Sequence, residues 1–105
     1  MITSGKGKYK VFLKKKELGD DLIFILGGGE KSHVGGAVIY QPKQKPYILT
    51  YQNHHDHIVL TQIAKAACEK YNKTVIAIGG IHIDNATKED VQILINNCKE
   101  LEKCI

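Results

Sequence analysis

The run Leu26-Gly27-Gly28-Gly29-Glu30-Lys31-Ser32-His33-Val34-Gly35-Gly36 constrains this chain more than any other. It sets five glycines between two apolar runs, Leu22–Leu26 and Ala37–Tyr40. A tight hairpin turn needs only one or two residues tolerant of positive φ, whereas three consecutive glycines leave bare backbone that a ligand can approach closely. The stretch therefore reads as a ligand-approach loop first and a connection second. The plain alternative is an ordinary loop with a solvated Glu30–Lys31 turn and a surface or core His33. A matching constellation near the C-terminus, Ile78-Gly79-Gly80-Ile81-His82-Ile83-Asp84-Asn85, weighs against that alternative.

Period-two alternation places Tyr9, Val11 and Leu13 opposite Lys8, Lys10, Phe12 and Lys14, which predicts a half-exposed strand. The continuous apolar run Leu22–Leu26 predicts a central strand forming an antiparallel hairpin with it. Val34–Tyr40 and Tyr47–Tyr51 supply two more strands in a meander, and Gly35-Gly36 marks a bulge or a close backbone neighbour. Leu60, Ile63, Ala64, Ala67 and Tyr71 recur on one helical face, predicting a helix over about 58–71. A further strand follows from Thr74 to Ile83, kinked at Gly79-Gly80, in an orientation the sequence leaves open. If Ile81 and Ile83 face the core, His82 points the other way. Thr87 and Asp90 form a capping box for a last helix that buries Val91, Leu94, Ile95, Cys98 and Leu101. The expected fold is α+β in the order ββββαβα: a mostly antiparallel sheet of about five strands with two helices on one face. Residues 1–6 are expected to be a flexible N-terminus and residues 7–105 one domain.

Composition narrows the function. No segment approaches the ~20 apolar residues of a membrane span, and the polar N-terminus lacks the core of a signal peptide, so the expected location is cytoplasmic. Three cysteines without a Cys-x-x-Cys pair support neither a disulfide framework nor a thiolate zinc site. The net charge of +4 is concentrated in lysines before position 17, with few aromatic rings among them, which argues against a nucleic-acid surface.

The glycine loop is not a P-loop, because Glu30 stands where that motif needs glycine. It is not a dinucleotide fingerprint, because Ser32 replaces the third glycine. What remains is a phosphate reader built from the amides of Gly27 to Gly29, the Lys31 charge and a helix N-terminus near Asp56 or Thr87. His54, His55 and His57 cluster with Asp56 ahead of a helix, yet match no two-histidine metal motif. An acid–base pair of His82 and Asp84 is disfavoured, on the expectation that the two side chains point to opposite sides of the chain. A binding protein is the better reading.

With these motifs in hand, Gly27–Val38, the histidine-containing loop before an alanine-rich helix, and Gly80–Thr87 together resemble the small accessory proteins of gallate-decarboxylase systems, the prenylated-flavin chaperones. The resemblance covers about residues 10 to 103. It implies a non-catalytic carrier of prenylated FMN, with FMN itself as the related ligand. The implied partners are a prenylated-FMN-dependent aromatic acid decarboxylase and its flavin prenyltransferase. Residue chemistry then assigns Gly28, Gly29 and Lys31 toward phosphate, and Glu30 and Gly35, in the same loop, are counted among the cofactor-site residues. His33, His54, His82, Asp84 and Asn85 fall toward the ribityl chain or ring edges. The shortage of stacking rings favours a site between copies of a homo-oligomer. Two rival classes are a metal-dependent or acid–base enzyme using His33, His54, His82 and Asp84, and a ligand-free interaction subunit of a decarboxylase.

Overall fold

A computed structural model describes residues 1–51 and 56–105. In chain order its elements are β1 (Ile2–Ser4), a 3-10 turn (Gly7–Tyr9), β2 (Val11–Leu18), β3 (Asp21–Gly28), β4 (Lys31–Tyr40), β5 (Tyr47–Thr50), α1 (Asp56–Tyr71), β6 (Val75–His82) and α2 (Lys88–Lys103). The strands form one sheet in the spatial order β1-β2-β3-β6-β4-β5, and both helices pack on one face of it. The α+β class and the single helical layer are those the sequence predicts. The sheet gains a sixth strand because Ile2–Ser4, expected to be loose, pairs antiparallel with β2. Among the described residues no helix is long and apolar enough to cross a membrane.

The expected hairpin of β2 and β3 is present, with Leu13 opposite Leu26 and Leu18 opposite Asp21. Beyond it β4 and β5 pair antiparallel as expected, with Val38 opposite Ile48, but β3 and β4 are not neighbours and the meander is broken there. β6 lies between β3 and β4, parallel to the first (Phe24 opposite Ala77) and antiparallel to the second (Val38 opposite Ala77). The Gly29-Glu30 link makes this possible. Three Cα steps from Gly28 to Lys31 reach at most about 11 Å, enough for two inter-strand spacings of about 4.8 Å. The link therefore crosses the end of β6, where the Glu30 amide donates to the His82 carbonyl at 2.8 Å.

One face of the sheet and the two helices enclose the core. Val11, Leu13, Leu22, Phe24, Leu26, Val38, Val75 and Ala77 meet Leu60, Ile63, Ala64 and Ala67 of α1 and Leu101 of α2. Small alanines let α1 lie close to the sheet. Cys68 and Cys98 fill core positions and Cys104 is exposed. Burial, with the charges of Asp56 and Glu102, pushes the Cys98 thiol up to about 12, which makes it a packing residue rather than a nucleophile.

Residues of alternate parity line the opposite face in two rows. Lys14, Ile25, Ile78, Ala37 and Leu49 are successive register partners across five strands, and so are Lys16, Ile23, Ile76, Ile39 and Tyr47. The continuous apolar run of β3 thus supplies side chains to both faces.

The capping box of α2 forms as predicted. The Thr87 hydroxyl accepts from the Asp90 amide, and the Asp90 carboxylate accepts from the Thr87 amide, both at 3.0 Å. Thr87→Ala is expected to lower stability by about 1 kcal/mol, measured as a shift in the urea midpoint at unchanged slope.

The buried stripe of α2 is rotated from the one expected. Cys98 and Leu101 are buried and Leu94 and Ile95 half-buried, but Val91 is 44% exposed and Asp90 is buried in its place. The 3-10 turn explains the rotation. The Tyr9 hydroxyl donates to Asp90 Oδ1 at 2.6 Å and the Asn97 amide donates to the Tyr9 carbonyl at 2.9 Å, so polar groups facing that turn are satisfied.

The Tyr9–Asp90 bond also gives a pH window. The Tyr9 hydroxyl, followed by the Thr87 backbone, holds the Asp90 carboxyl below the usual carboxylate range. The same bond, followed by burial, pushes the Tyr9 phenol above its ordinary value. A depressed carboxyl contributes stability above about pH 3.9 that is lost as pH falls through its folded value. A raised phenol contributes stability below about pH 10 that is lost as pH rises through its folded value. Tyr9→Phe should therefore lie furthest below wild type in Tm between those limits. The gap should narrow outside them on both sides in a thermal-melt series against pH.

Candidate functional site

The first residue of α1 organises the end of the sheet that the glycine-rich runs share. Asp56 Oδ1 accepts from the Ile81 amide at 3.0 Å, tying the helix N-terminus to β6, and its Oδ2 lies 3.5 Å from His33 Nε2. His33 comes to this side because β4 shifts register against β6 between Ser32 and Gly36, the irregularity that Gly35-Gly36 predicted. Two glycines make room for the carboxylate. A Cβ at Gly35 would stand 2.1 Å from Asp56 Oδ2, and one at Gly80 would stand 2.9 Å from His33 Nε2 and 3.0 Å from Asp56 Oδ2.

A second histidine–carboxylate pair stands beside the first. His82 Nε2 and Asp84 Oδ1 are 2.8 Å apart, and the His33 and His82 rings meet edge to face at a centroid distance of 6.0 Å. The pairing overturns the expectation that His82 and Asp84 diverge. Residues two apart on an extended chain share a side, and Glu30 Oε1 fixes the turn by accepting from the Asp84 amide at 2.8 Å. The pairs differ in exposure: the His33 and Asp56 side chains are 21% and 13% exposed, those of His82 and Asp84 47% and 79%. Lys31 is the exposed register partner of His82, so a cation stands next to the outer pair.

The other expected residues are placed less directly. The Gly28 amide donates to Ser32 Oγ at 2.9 Å and the Gly29 amide to the Lys10 carbonyl at 3.0 Å, so two of the amides assigned to phosphate already serve the fold. Here the bare glycine backbone admits protein neighbours: a Cβ at Gly27 would stand 2.3 Å from the Phe12 ring. Asn85 is exposed at positive φ in the turn between β6 and α2. His54, and His55 beside it, lie outside the described residues. His57 Nδ1 is buried with no hydrogen-bond partner among the described residues. No three metal-ligating side chains come together among the described residues.

Chemically, each carboxylate orients an imidazole; exposed Lys31 offers donors to an anionic group, and the free ring nitrogen of His82 offers an acceptor to a hydroxylated one. Asp56 is the central residue here, whereas the sequence offers it only as a helix N-terminus and as a neighbour of the histidine cluster. Its signal was an acidic side chain in the first turn of a helix that follows a histidine cluster. A surface cavity of about 520 Å³, lined by residues including Tyr40, Lys43, Glu69 and Asn72, lies at the opposite end of β4 and shares no residue with this cluster.

A sequence model of the prenylated flavin chaperone LpdD-like domain matches residues 5–105. No curated protein matches the chain. Among solved structures, a chain in the crystal structure of a novel chaperone complex for yeast 20S proteasome assembly is similar. It has 12% sequence identity and a TM-score of 0.54, with 98% of this chain and 94% of that one covered. At that identity the likeness is one of fold.

Proposed function

The chain belongs to the LpdD-like family of prenylated flavin chaperones, and from that premise we propose that it is a non-catalytic carrier of prenylated FMN. It binds the cofactor and delivers it to a prenylated-FMN-dependent aromatic acid decarboxylase. The observation that carries the reading is the family match, which spans the whole domain. The chemistry of the bound cofactor serves the enzyme that uses it, so the carrier's own task is to hold and release.

The residues at the shared end of the sheet fit the polar part of such a ligand. Lys31 offers a cation to the phosphate. His33 and His82 turn Nε2 toward Asp56 and Asp84, which leaves Nδ1 of the exposed His82 as an acceptor for a ligand hydroxyl, and the buried His57 Nδ1 is a further polar atom with no hydrogen-bond partner among the described residues. Glu30 acts through Asp84, as a positioning residue. Gly35 serves the same site by admitting the Asp56 carboxylate.

The test is an absorbance and native mass-spectrometric titration of the protein with FMN and with prenylated FMN, repeated with Lys31→Ala and His82→Ala. Prenylated FMN should bind more tightly than FMN, and each substitution should weaken binding by about tenfold, the loss of one hydrogen bond. Absence of binding by either flavin would overturn the carrier reading.

A further inference from the structure

We propose that the sheet face turned away from the helices is the interface of a homodimer, covered by the same face of a second copy. The continuous apolar run of β3 calls for cover on both faces, and the helices supply it on only one. On the other face Ile23, Ile25, Ile76, Ile78, Ile39 and Leu49 form a charge-free patch over four adjacent strands, and Leu49 is 70% exposed. A solvated sheet face would instead alternate to polar residues, as β2 does with Lys14 and Lys16 at one rim.

The surface area is in keeping with that open face. The chain exposes 6662 Å², whereas a monomer of 11.7 kDa is expected to expose about 5,900 Å². The chain is thus more open than an average monomer of its mass, as expected of a subunit with one uncovered sheet face.

The second copy is favoured because the patch is complementary to itself. A two-fold axis parallel to the strands, between β6 and β4, lays Ile23 and Ile25 over the copy's Tyr47 and Leu49, and Ile76 and Ile78 over its Ile39 and Ala37. The lysines of β2 then lie outside the overlap, one pair at each rim, where they do not meet. Such a face-to-face pair is a β-sandwich with helices on both outer surfaces.

Sedimentation equilibrium of the full chain without any flavin tests the interface independently of the cofactor reading. The wild type should sediment at twice its chain mass. Ile78→Asp and Leu49→Asp should each weaken self-association by about a hundredfold or more, since either would bury a charge with no partner, while the far-ultraviolet circular dichroism stays unchanged. Leu49 lies on the edge strand outside the core, so its variant keeps the test decisive if Ile78→Asp fails to fold. A wild type still monomeric at about 1 mM, where even a millimolar dissociation constant gives substantial dimer, would overturn the proposal. So would variants that dimerise like wild type. A monomeric wild type whose face variants lose binding to a decarboxylase would assign the patch to that enzyme instead.

Discussion

Gly79→Ala is expected to cost about 4 kcal/mol or more, a large part of the 5–15 kcal/mol that holds an ordinary domain together. Gly79 has φ +126°, and a Cβ there would stand 1.9 Å from the Leu26 carbonyl oxygen. The obstacle is backbone, and Leu26 is the register partner of Gly79 in the β3–β6 ladder, so neither side can withdraw without breaking that pairing. The comparison is Gly19→Ala, in the β2–β3 turn, where φ is +60° and no atom stands within 4 Å of the added methyl group. That substitution should cost only about 1–2 kcal/mol, from backbone strain alone. Chemical denaturation of the two variants measures the difference directly. Equal losses would mean that the close approach of β6 to β3 at Gly79 does not limit stability.

The same contact marks where local sequence reasoning runs out. Alternation along β2 and the apolar run of β3 are local signals, and the hairpin they predict is present. The one-sided pattern of α1 and the Thr87–Asp90 box are equally local and equally legible. The insertion of β6 between β3 and β4 is a pairing between distant segments, and no single segment specifies which neighbour a strand will choose. The glycines at 27–29 and 79–80 carried that information in a form open to two readings. Bare backbone suits a ligand and an adjoining strand alike, and at Gly27, Gly28, Gly29 and Gly79 the structure shows protein neighbours. At Gly35 and Gly80 the neighbours are the side chains of the site itself. The rotated stripe of α2 has a similar origin. Hydrophobic periodicity favoured Val91, whereas hydrogen bonds to the distant Tyr9 turn Asp90 and Asn97 inward.

Substitution of Asp56 separates the structural and the binding roles of the site. Asp56→Ala removes the acceptor of the Ile81 amide, which costs about 1–3 kcal/mol where the donor loses its partner. It also removes a carboxylate from a helix N-terminus, worth a further 0.3–1 kcal/mol or so. The expected loss in chemical denaturation is therefore about 3 kcal/mol. Asp56→Asn keeps an oxygen for the Ile81 amide and gives up only the charge, so its loss should be nearer 1 kcal/mol. Binding should not follow that order. If the negative charge beside His33 orients the imidazole for the cofactor, both variants should weaken prenylated FMN by tenfold or so, a difference of about 1.4 kcal/mol. Stability recovered in Asn without recovery of affinity would place the charge of Asp56 within the binding machinery. Affinity restored along with stability would confine Asp56 to joining α1 to β6, and the polar recognition would then rest on Lys31, His82 and Asp84.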